Sequence, residues 1–171
     1  KTIVTTEYGI EEIKNTDSTG NSYTDRTAKT AQVTSDGDLI RYSEDIHVHT
    51  AIEDGQKTVE TTVGTSHAYD AYTEKDENGN DVTKYVMTVS ENSYSSKTYD
   101  EDGRLLSSYE DTGDFYVAEG VTDVGNVNKA GKLTNFGDTS NAKVIRYARD
   151  ISDEKYTYEG DSSKPSKVDY A

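Results

Sequence analysis

Residues 39–63, LIRYSEDIHVHTAIEDGQKTVETTV, decide the fold of this chain. In the first part of this stretch, even positions carry most of the apolar side chains, namely Ile40, Tyr42, Ile46, Val48 and Ile52. Alternation with a period of two is typical of a β-strand with one buried and one solvated face. Asp54-Gly55 supplies the two residues that a tight hairpin turn holds at positive φ. The stretch therefore predicts one long β-hairpin.

The position of the Asp54-Gly55 turn fixes how the two strands pair. The predicted pairs are Ile46 with Val63, His47 with Thr62, His49 with Glu60, and Tyr42 with His67. In this register the apolar residues share one face and the first two histidines lie on the other, solvated face. Because the turn and the apolar pattern agree, we expect the register to be well specified.

The pair Asn78-Gly79 is the strongest two-residue hairpin signal in the chain. A turn there predicts a second long hairpin, in which Tyr72 faces Tyr85. It also sets Asp76 against Asp81, and like charges directly opposite each other are unfavourable. A four-residue loop at this tip is therefore the alternative.

Further turn signals lie at residues 17–21, 35–38, 102–103 and 160–163. Consecutive long hairpins predict an all-β fold, an antiparallel meander that forms a curved open sheet or half-barrel, with a β-sandwich as the alternative. We assign residues 1–171 to a single domain. Within it, the Gly-rich segment 111–140 has no sustained period and is predicted to be irregular, and residues 8–15 to hold one short helical turn.

Charge and hydropathy limit the classes of partner. The chain has 33 acidic and 18 basic residues and a formal net charge of −15. Such a field repels nucleic acid, so we expect no nucleic-acid partner. A run of about 18 apolar residues, which a membrane-spanning helix needs, is missing from the sequence, so we expect no membrane span. The chain has 2 phenylalanines but 14 tyrosines, which favour half-exposed sheet surfaces over a deep core.

Several features indicate an extracellular location. The chain has no cysteine, which excludes disulfides and thiolate metal sites; this absence fits a reducing compartment and also fits many secreted proteins of Gram-positive bacteria. Its bias toward Thr, Ser, Asn, Asp, Gly and Tyr resembles that of bacterial cell-surface proteins. The sequence begins with Lys1, from which we expect an upstream segment to have been removed. We therefore predict a bacterial cell-surface protein. The alternative form is a lipoprotein, which would be lipid-anchored through that upstream segment.

Two family resemblances accompany this prediction. The segment YDEDGRL at residues 99–105 resembles the YD repeat of Rhs-type bacterial surface proteins, and residues 75–80 and 156–161 are similar to degenerate copies of it. That resemblance implies tyrosine-rich hairpins at a cell surface. In outline, the long-stranded meander is also similar to the half-barrels of LolA/LppX-like lipoproteins, which implies a concave face that holds an apolar ligand.

One histidine pair could bind a metal ion. His47 and His49 are two residues apart on a predicted strand, so their imidazoles point the same way, which suits metal ligation. The spacing to Glu53 resembles the first motif of cupins, although Arg41 and Glu60 stand where that motif has glycines. The sequence predicts no other metal site with a recognisable spacing, but the acidic tips at residues 76–81 and 100–102 offer oxygen ligands that suit calcium.

Six tyrosines form the predicted ligand-binding surface: Tyr69, Tyr72, Tyr85, Tyr94, Tyr99 and Tyr109. The leading hypothesis is a non-enzymatic extracellular domain, without a cofactor, that binds a ligand or partner through this Tyr-rich sheet face. The alternatives are a structural or adhesin spacer module and a metal-dependent enzyme that uses His47 and His49. Long exposed sheet edges also predict a homodimer formed by edge-strand pairing.

Overall fold

The computed structural model describes residues 2–171 as strands, turns and loops; within them there is no helix, and thus none long and apolar enough to span a membrane. The twelve strands are β1 (Ile3–Thr16), β2 (Ser22–Thr34), β3 (Leu39–Glu53), β4 (Gln56–Lys75), β5 (Asp81–Tyr99), β6 (Leu105–Asp111), β7 (Asp114–Val121), β8 (Asn126–Val127), β9 (Leu133–Asn135), β10 (Lys143–Tyr147), β11 (Ile151–Thr157) and β12 (Lys167–Tyr170). The predicted all-β class is confirmed.

Ten of these strands form one antiparallel sheet that meanders from β1 to β5 and then forks. The first half of β5 pairs with β7, and its second half pairs with β6. One branch continues from β6 to β11 and β12, and the other ends with β10 on β7. The sheet does not close into a barrel, because β1 and β12 each pair on one side only within residues 2–171.

Most hairpin loops share one hydrogen-bonding pattern. In the loops that begin at Asp17, Asp76, Asp100 and Asn128, the side-chain Oδ1 accepts the backbone N–H groups two and four residues later. A glycine at positive φ occupies the fourth position of each loop. Only the β3–β4 hairpin uses the two-residue turn, at Asp54 and Gly55, with φ of 51° and 76°, as predicted.

The predicted β3–β4 register is correct at both ends of the hairpin and wrong by one residue in the middle. Glu53 pairs with Gln56 and Tyr42 pairs with His67, but His47 faces Val63 and His49 faces Thr61. Bulges separate these stretches, and each bulge inserts one unpaired residue. As a result Tyr42 shares a face with His47 and His49, whereas Ile46 and Val48 lie on the opposite face, which corrects the predicted single apolar face.

The predicted β4–β5 register is also wrong by one residue, because Tyr72 faces Lys84 and Tyr85 faces Ala71. The loop spans residues 76–80 and so replaces the two-residue turn. This choice relieves the charge repulsion anticipated at the tip, since Asp81 now faces Lys75 and forms an ion pair with it.

Two other local predictions need correction. Residues 8–15 form no helical turn, because β1 continues through them in pairing with β2, with a bulge next to Gly9. The segment 111–140 contains an eight-residue strand, β7, that pairs with both β5 and β10. Tertiary pairing decides both stretches, since neither carries a clear local pattern.

The hydrophobic core lies between the sheet and a strap, which we define as residues 122–142. Buried sheet residues form its centre: Ala31, Leu39, Tyr42, Tyr69, Met87, Val89, Ala118 and Val121. Val124, Val127 and Leu133 of the strap pack against them, and β8 and β9 form a small hairpin within the strap. The strap thus covers one half of one sheet face.

Candidate functional site

The candidate site lies on the sheet face that the strap partly covers, which we call the strap face. Residues paired across an antiparallel sheet project to the same side, so the register defines this face. Tyr42, His67 and Val89 form one cross-strand row beneath the strap. Farther along the same strands, the side chains of His47 and His49 keep 46% and 39% of their surface exposed, so the strap leaves these rows uncovered.

We call this uncovered region the open half, and its functional side chains are Tyr23, Asp25, His47, His49, Tyr94 and Tyr109. Tyr23 and Tyr94 each keep 38% of their surface exposed. The ring centroids of Tyr94 and Tyr109 are 5.8 Å apart in an edge-on arrangement, and those of Tyr23 and His49 are 5.3 Å apart. The open half is a shallow surface with aromatic groups at both sides.

Asp25 holds the two histidines together. Its Oδ1 lies 3.1 Å from His47 Nε2 and 2.7 Å from His49 Nδ1. The hydrogen bond with His49, followed by the charge interactions with both imidazoles, lowers the pKa of the Asp25 carboxyl below its usual value. The carboxylate therefore stays ionised at neutral pH and fixes the orientation of both rings.

The structure brings the two predicted metal ligands, His47 and His49, to the same carboxylate. Within residues 2–171, however, no group of three or more histidine, aspartate or glutamate side chains is arranged to hold a metal ion. His67 pairs with Tyr42, well removed along the strand from both histidines, as the sequence indicated. Asp25 contacts the pair through hydrogen bonds, which is an arrangement suited to a polar contact surface.

The acidic loop tips use their oxygens internally. Asp76 Oδ1 accepts the N–H groups of Asn78 and Asn80 at 2.8 and 2.9 Å. Asp100 does the same in its own loop and also binds Arg104 Nε at 2.8 Å. These carboxylates are explained by turn formation, because each one satisfies backbone donors that the hairpin leaves free.

The six predicted tyrosines divide between the two faces. Tyr69 and Tyr85 lie on the strap face at the core, with ring centroids 6.4 Å apart, and Tyr69 is buried. Tyr94 and Tyr109 lie in the open half. Tyr72 and Tyr99 project from the opposite face, where Lys57 Nζ lies 4.5 Å from the Tyr99 ring centroid. Tyr94 and Tyr99 are five residues apart, so simple alternation places them on opposite faces. The bulge at Asn92, with φ of 54°, shifts the alternation along β5 and so places Tyr94 on the same face as Tyr85.

Sequence reasoning missed Tyr23 and Asp25, which lie on β2 directly opposite Ala51 and His49. Their spacing of two residues places them on one face of a strand, which was a usable signal. The register between β2 and β3 was needed to place that face beside the histidines, and no two-residue turn fixes it, because the connecting loop spans residues 34–38.

His67 is the other unusual polar side chain on the strap face. It stacks on Tyr42 with a centroid distance of 4.2 Å, and neither of its buried ring nitrogens has a hydrogen-bond partner in the described chain. Burial lowers its pKa, while Glu44, whose Oε2 lies 3.8 Å from Nε2, acts in the opposite direction. We take 3.8 Å to be too long for a hydrogen bond, so the ring is a neutral, stacked group.

Comparisons of this chain with protein-family models, with curated proteins and with solved structures found no match.

Proposed function

We propose that this chain is a non-enzymatic, extracellular binding domain of a bacterial surface protein or lipoprotein, and that it binds its partner through the open half. The observation that carries the proposal is the pair of half-exposed aromatic groups, Tyr94 with Tyr109 and Tyr23 with His49, on a surface that the strap leaves uncovered. Exposed tyrosines supply large contact areas at low entropic cost, which is why they are enriched at binding surfaces.

The distribution of the side chains supports a contact surface more than a reaction centre. The hydrogen bonds of His47 and His49 go to Asp25, so neither imidazole is paired with a hydroxyl that it could activate. Val63 lies between His47 and Tyr94 in the same cross-strand row, which gives the surface an apolar middle between polar and aromatic sides. Such a pattern fits a partner that stacks on rings and donates hydrogen bonds, including a glycan or an extended peptide.

A screen of the labelled domain against arrays of glycans and of extracellular proteins tests this proposal. Binders are then measured with two double variants of equal tyrosine content. Tyr94→Ser with Tyr109→Ser removes aromatic rings from the open half and should weaken binding about tenfold or more. Tyr72→Ser with Tyr99→Ser removes rings from the opposite face and should leave the affinity within about twofold.

Two results would overturn the proposal. One is the failure of every array member to bind saturably, and the other is an equal loss of affinity in both double variants. Thermal melts of both variants show whether each one is folded, so that a loss of affinity is assigned to the surface and not to unfolding.

We also propose that the free edge of β1 pairs with a second copy of the chain. Four aliphatic side chains on this strand are 50–60% exposed: Ile3, Val4, Ile10 and Ile13. Natural edge strands are protected by charges, but Glu7 and Glu12 of β1 are both bound by Arg26 of the neighbouring strand. The edge is thus long, carries four exposed aliphatic side chains and is open to pairing.

Sedimentation measurements over a range of micromolar concentrations test the dimer. Ile10→Lys places a charge on the β1 edge and should shift the protein to monomer. Leu106→Lys places the same charge on an exposed site of β6 and should not change the distribution. A wild-type protein that remains monomeric throughout, or a dimer unaffected by Ile10→Lys, would contradict edge pairing.

A further inference from the structure

A cavity of about 170 Å³ lies under one end of the strap, between residues 133–136 and the first three strands of the sheet. It is independent of the open half, because its lining residues come from the covered part of the strap face. Its volume is close to the roughly 150 Å³ of a protein cavity that holds a benzene molecule. The cavity is therefore large enough for a compact organic group.

Three aromatic side chains contribute to the wall of the cavity. Tyr8, Tyr42 and Phe136 all line the cavity, together with Leu133. The rings of Tyr42 and Phe136 meet at 55° with their centroids 5.6 Å apart. Phe136 keeps 62% of its surface exposed, although it is one of only 2 phenylalanines in the chain. A ligand in the cavity would cover part of a ring that now faces water, which is a source of binding free energy.

The charges at the cavity favour a cation. The Lys29 ammonium is bound by the Asp45 carboxylate, so its charge is already compensated. Glu44 also lines the cavity, and its one ion-pair partner in the described chain is the neutral, stacked ring of His67. Glu44 thus contributes an uncompensated carboxylate beside three aromatic rings. A cation is already attracted to this wall, since Lys132 Nζ lies 6.0 Å from the Tyr8 ring centroid.

We propose that this cavity binds a methylated ammonium group, with its charge toward Glu44 and its methyl groups against Tyr8, Tyr42 and Phe136. Aromatic rings around a cation attract it through their quadrupoles, and quaternary ammonium groups are bound in this way by aromatic cages. A hard metal ion would need several oxygen ligands, and within residues 2–171 no group of three or more acidic or histidine side chains is arranged to hold one. The net charge of −15 also raises the local concentration of cations.

The experiment is an amide NMR titration of the wild-type chain with tetramethylammonium chloride, against sodium chloride at the same ionic strength. We expect saturable shifts at residues 133–136 and at Tyr8 and Tyr42. The uncharged isostere neopentane is too insoluble, so neopentyl alcohol serves as the neutral probe, and it should bind at least about fivefold more weakly.

Substitutions distinguish the contribution of the Glu44 charge to binding from that of the aromatic rings. Glu44→Gln removes the carboxylate at a half-exposed position and should weaken tetramethylammonium binding about fivefold, and Phe136→Ala should weaken it to a similar extent. Glu60→Gln, a carboxylate outside the cavity, serves as the control and should leave the affinity unchanged. The amide spectra themselves show that each variant is folded.

Several outcomes would overturn the proposal: no saturable shift, equal affinity for the neutral probe, shifts spread over the acidic loops, or no effect of Glu44→Gln. If binding is seen, choline and phosphatidylcholine vesicles distinguish the sources of the group. Binding of free choline alone indicates a soluble ligand, and vesicle binding that choline displaces indicates a lipid headgroup. Either result supports the site. Because none of these measurements involves the open half, a failure to find binding in the cavity leaves the proposed function unaffected.

Discussion

At the scale of single residues, the Asp or Asn that opens a hairpin loop has a clear structural role. Its Oδ1 accepts two backbone N–H groups that the reversing chain would otherwise leave free, as at Asp17 and Asp76. The glycine three positions later adopts the positive φ that closes the loop. Repetition of one short pattern at several tips gives the meander its sharp reversals.

The first prediction concerns Asp76. Asp76→Ala removes both side-chain hydrogen bonds and should lower the free energy of unfolding, because two backbone N–H groups lose their acceptor. Asp76→Asn retains Oδ1 and should lose less than half as much. Urea denaturation measures both, with the exposed neighbour Glu77→Ala as the control, which should lie within about 0.5 kcal/mol of wild type. Equal losses in Asp76→Asn and Asp76→Ala would contradict this role.

The second prediction concerns His67 and pH. Burial holds the pKa of His67 below the ordinary 6.5, so the unfolded chain binds this proton more tightly than the folded one. The stability that the neutral His67 ring contributes is therefore fully present above pH 6.5. That contribution is lost as the pH falls from 6.5 through the pKa of His67 in the folded state. The free energy of unfolding should decline over this window, before the carboxyl groups titrate.

The variant His67→Phe isolates that contribution. Phenylalanine keeps the stack on Tyr42 and removes the two unpartnered ring nitrogens, so at pH 8 its stability should equal wild type or exceed it by about 1 kcal/mol. His47 and His49 remain in both proteins, so the difference between the two stability curves reports His67 alone. A decline of the same size in both would show that another group is responsible.

At the scale of elements, the fork beyond β5 depends on a close backbone approach. Gly113 joins β6 to β7 with φ of 67°, and a Cβ there would lie 2.0 Å from the Glu91 carbonyl oxygen. Its N–H donates to Oδ1 of the buried Asp111, whose carboxylate also accepts from the Arg149 guanidinium. These contacts fix where the two branches separate, and the guanidinium holds the pKa of Asp111 below its usual value.

The third prediction follows from that geometry. Gly113→Ala adds both backbone strain and a clash with main-chain atoms, so it should destabilise the fold by about 3 kcal/mol or more. Gly103→Ala is the matched control, because its φ is 79° but no atom lies within 4 Å of the added Cβ. Strain alone should cost about 1–2 kcal/mol there. Similar losses at the two sites in thermal or urea unfolding would argue against the close approach.

At the scale of the whole molecule, the net charge of −15 acts against the compact state. Added salt screens this repulsion, so raising sodium chloride from about 10 mM to about 150 mM should increase Tm by about 3 °C. The variant with Glu101→Gln and Asp161→Asn, both exposed loop residues, should melt higher than wild type at low salt and respond less to salt. A Tm that falls with salt would show that attractive ion pairs outweigh the repulsion.

Local sequence patterns determined the all-β class and the positions of the predicted hairpin tips. Such features depend on alternation and turn chemistry within a few residues, and so they can be recognised without a partner strand. The β3–β4 tip at Asp54 and Gly55 is the clearest case, since these two residue types are suited to positive φ.

Only the tertiary structure decided the register in the middle of the hairpins, the fork and the role of residues 122–142. A bulge moves every later side chain to the other face, yet its position depends on packing between strands, as where Ile46 packs against the backbone of Gly64. The same holds for the meeting of Asp25 with His47 and His49, which belong to different strands. The strap covers the sheet through scattered side chains, Val124 and Leu133 among them. This arrangement is stable because the hydrophobic free energy depends on the apolar area buried and requires no regular spacing.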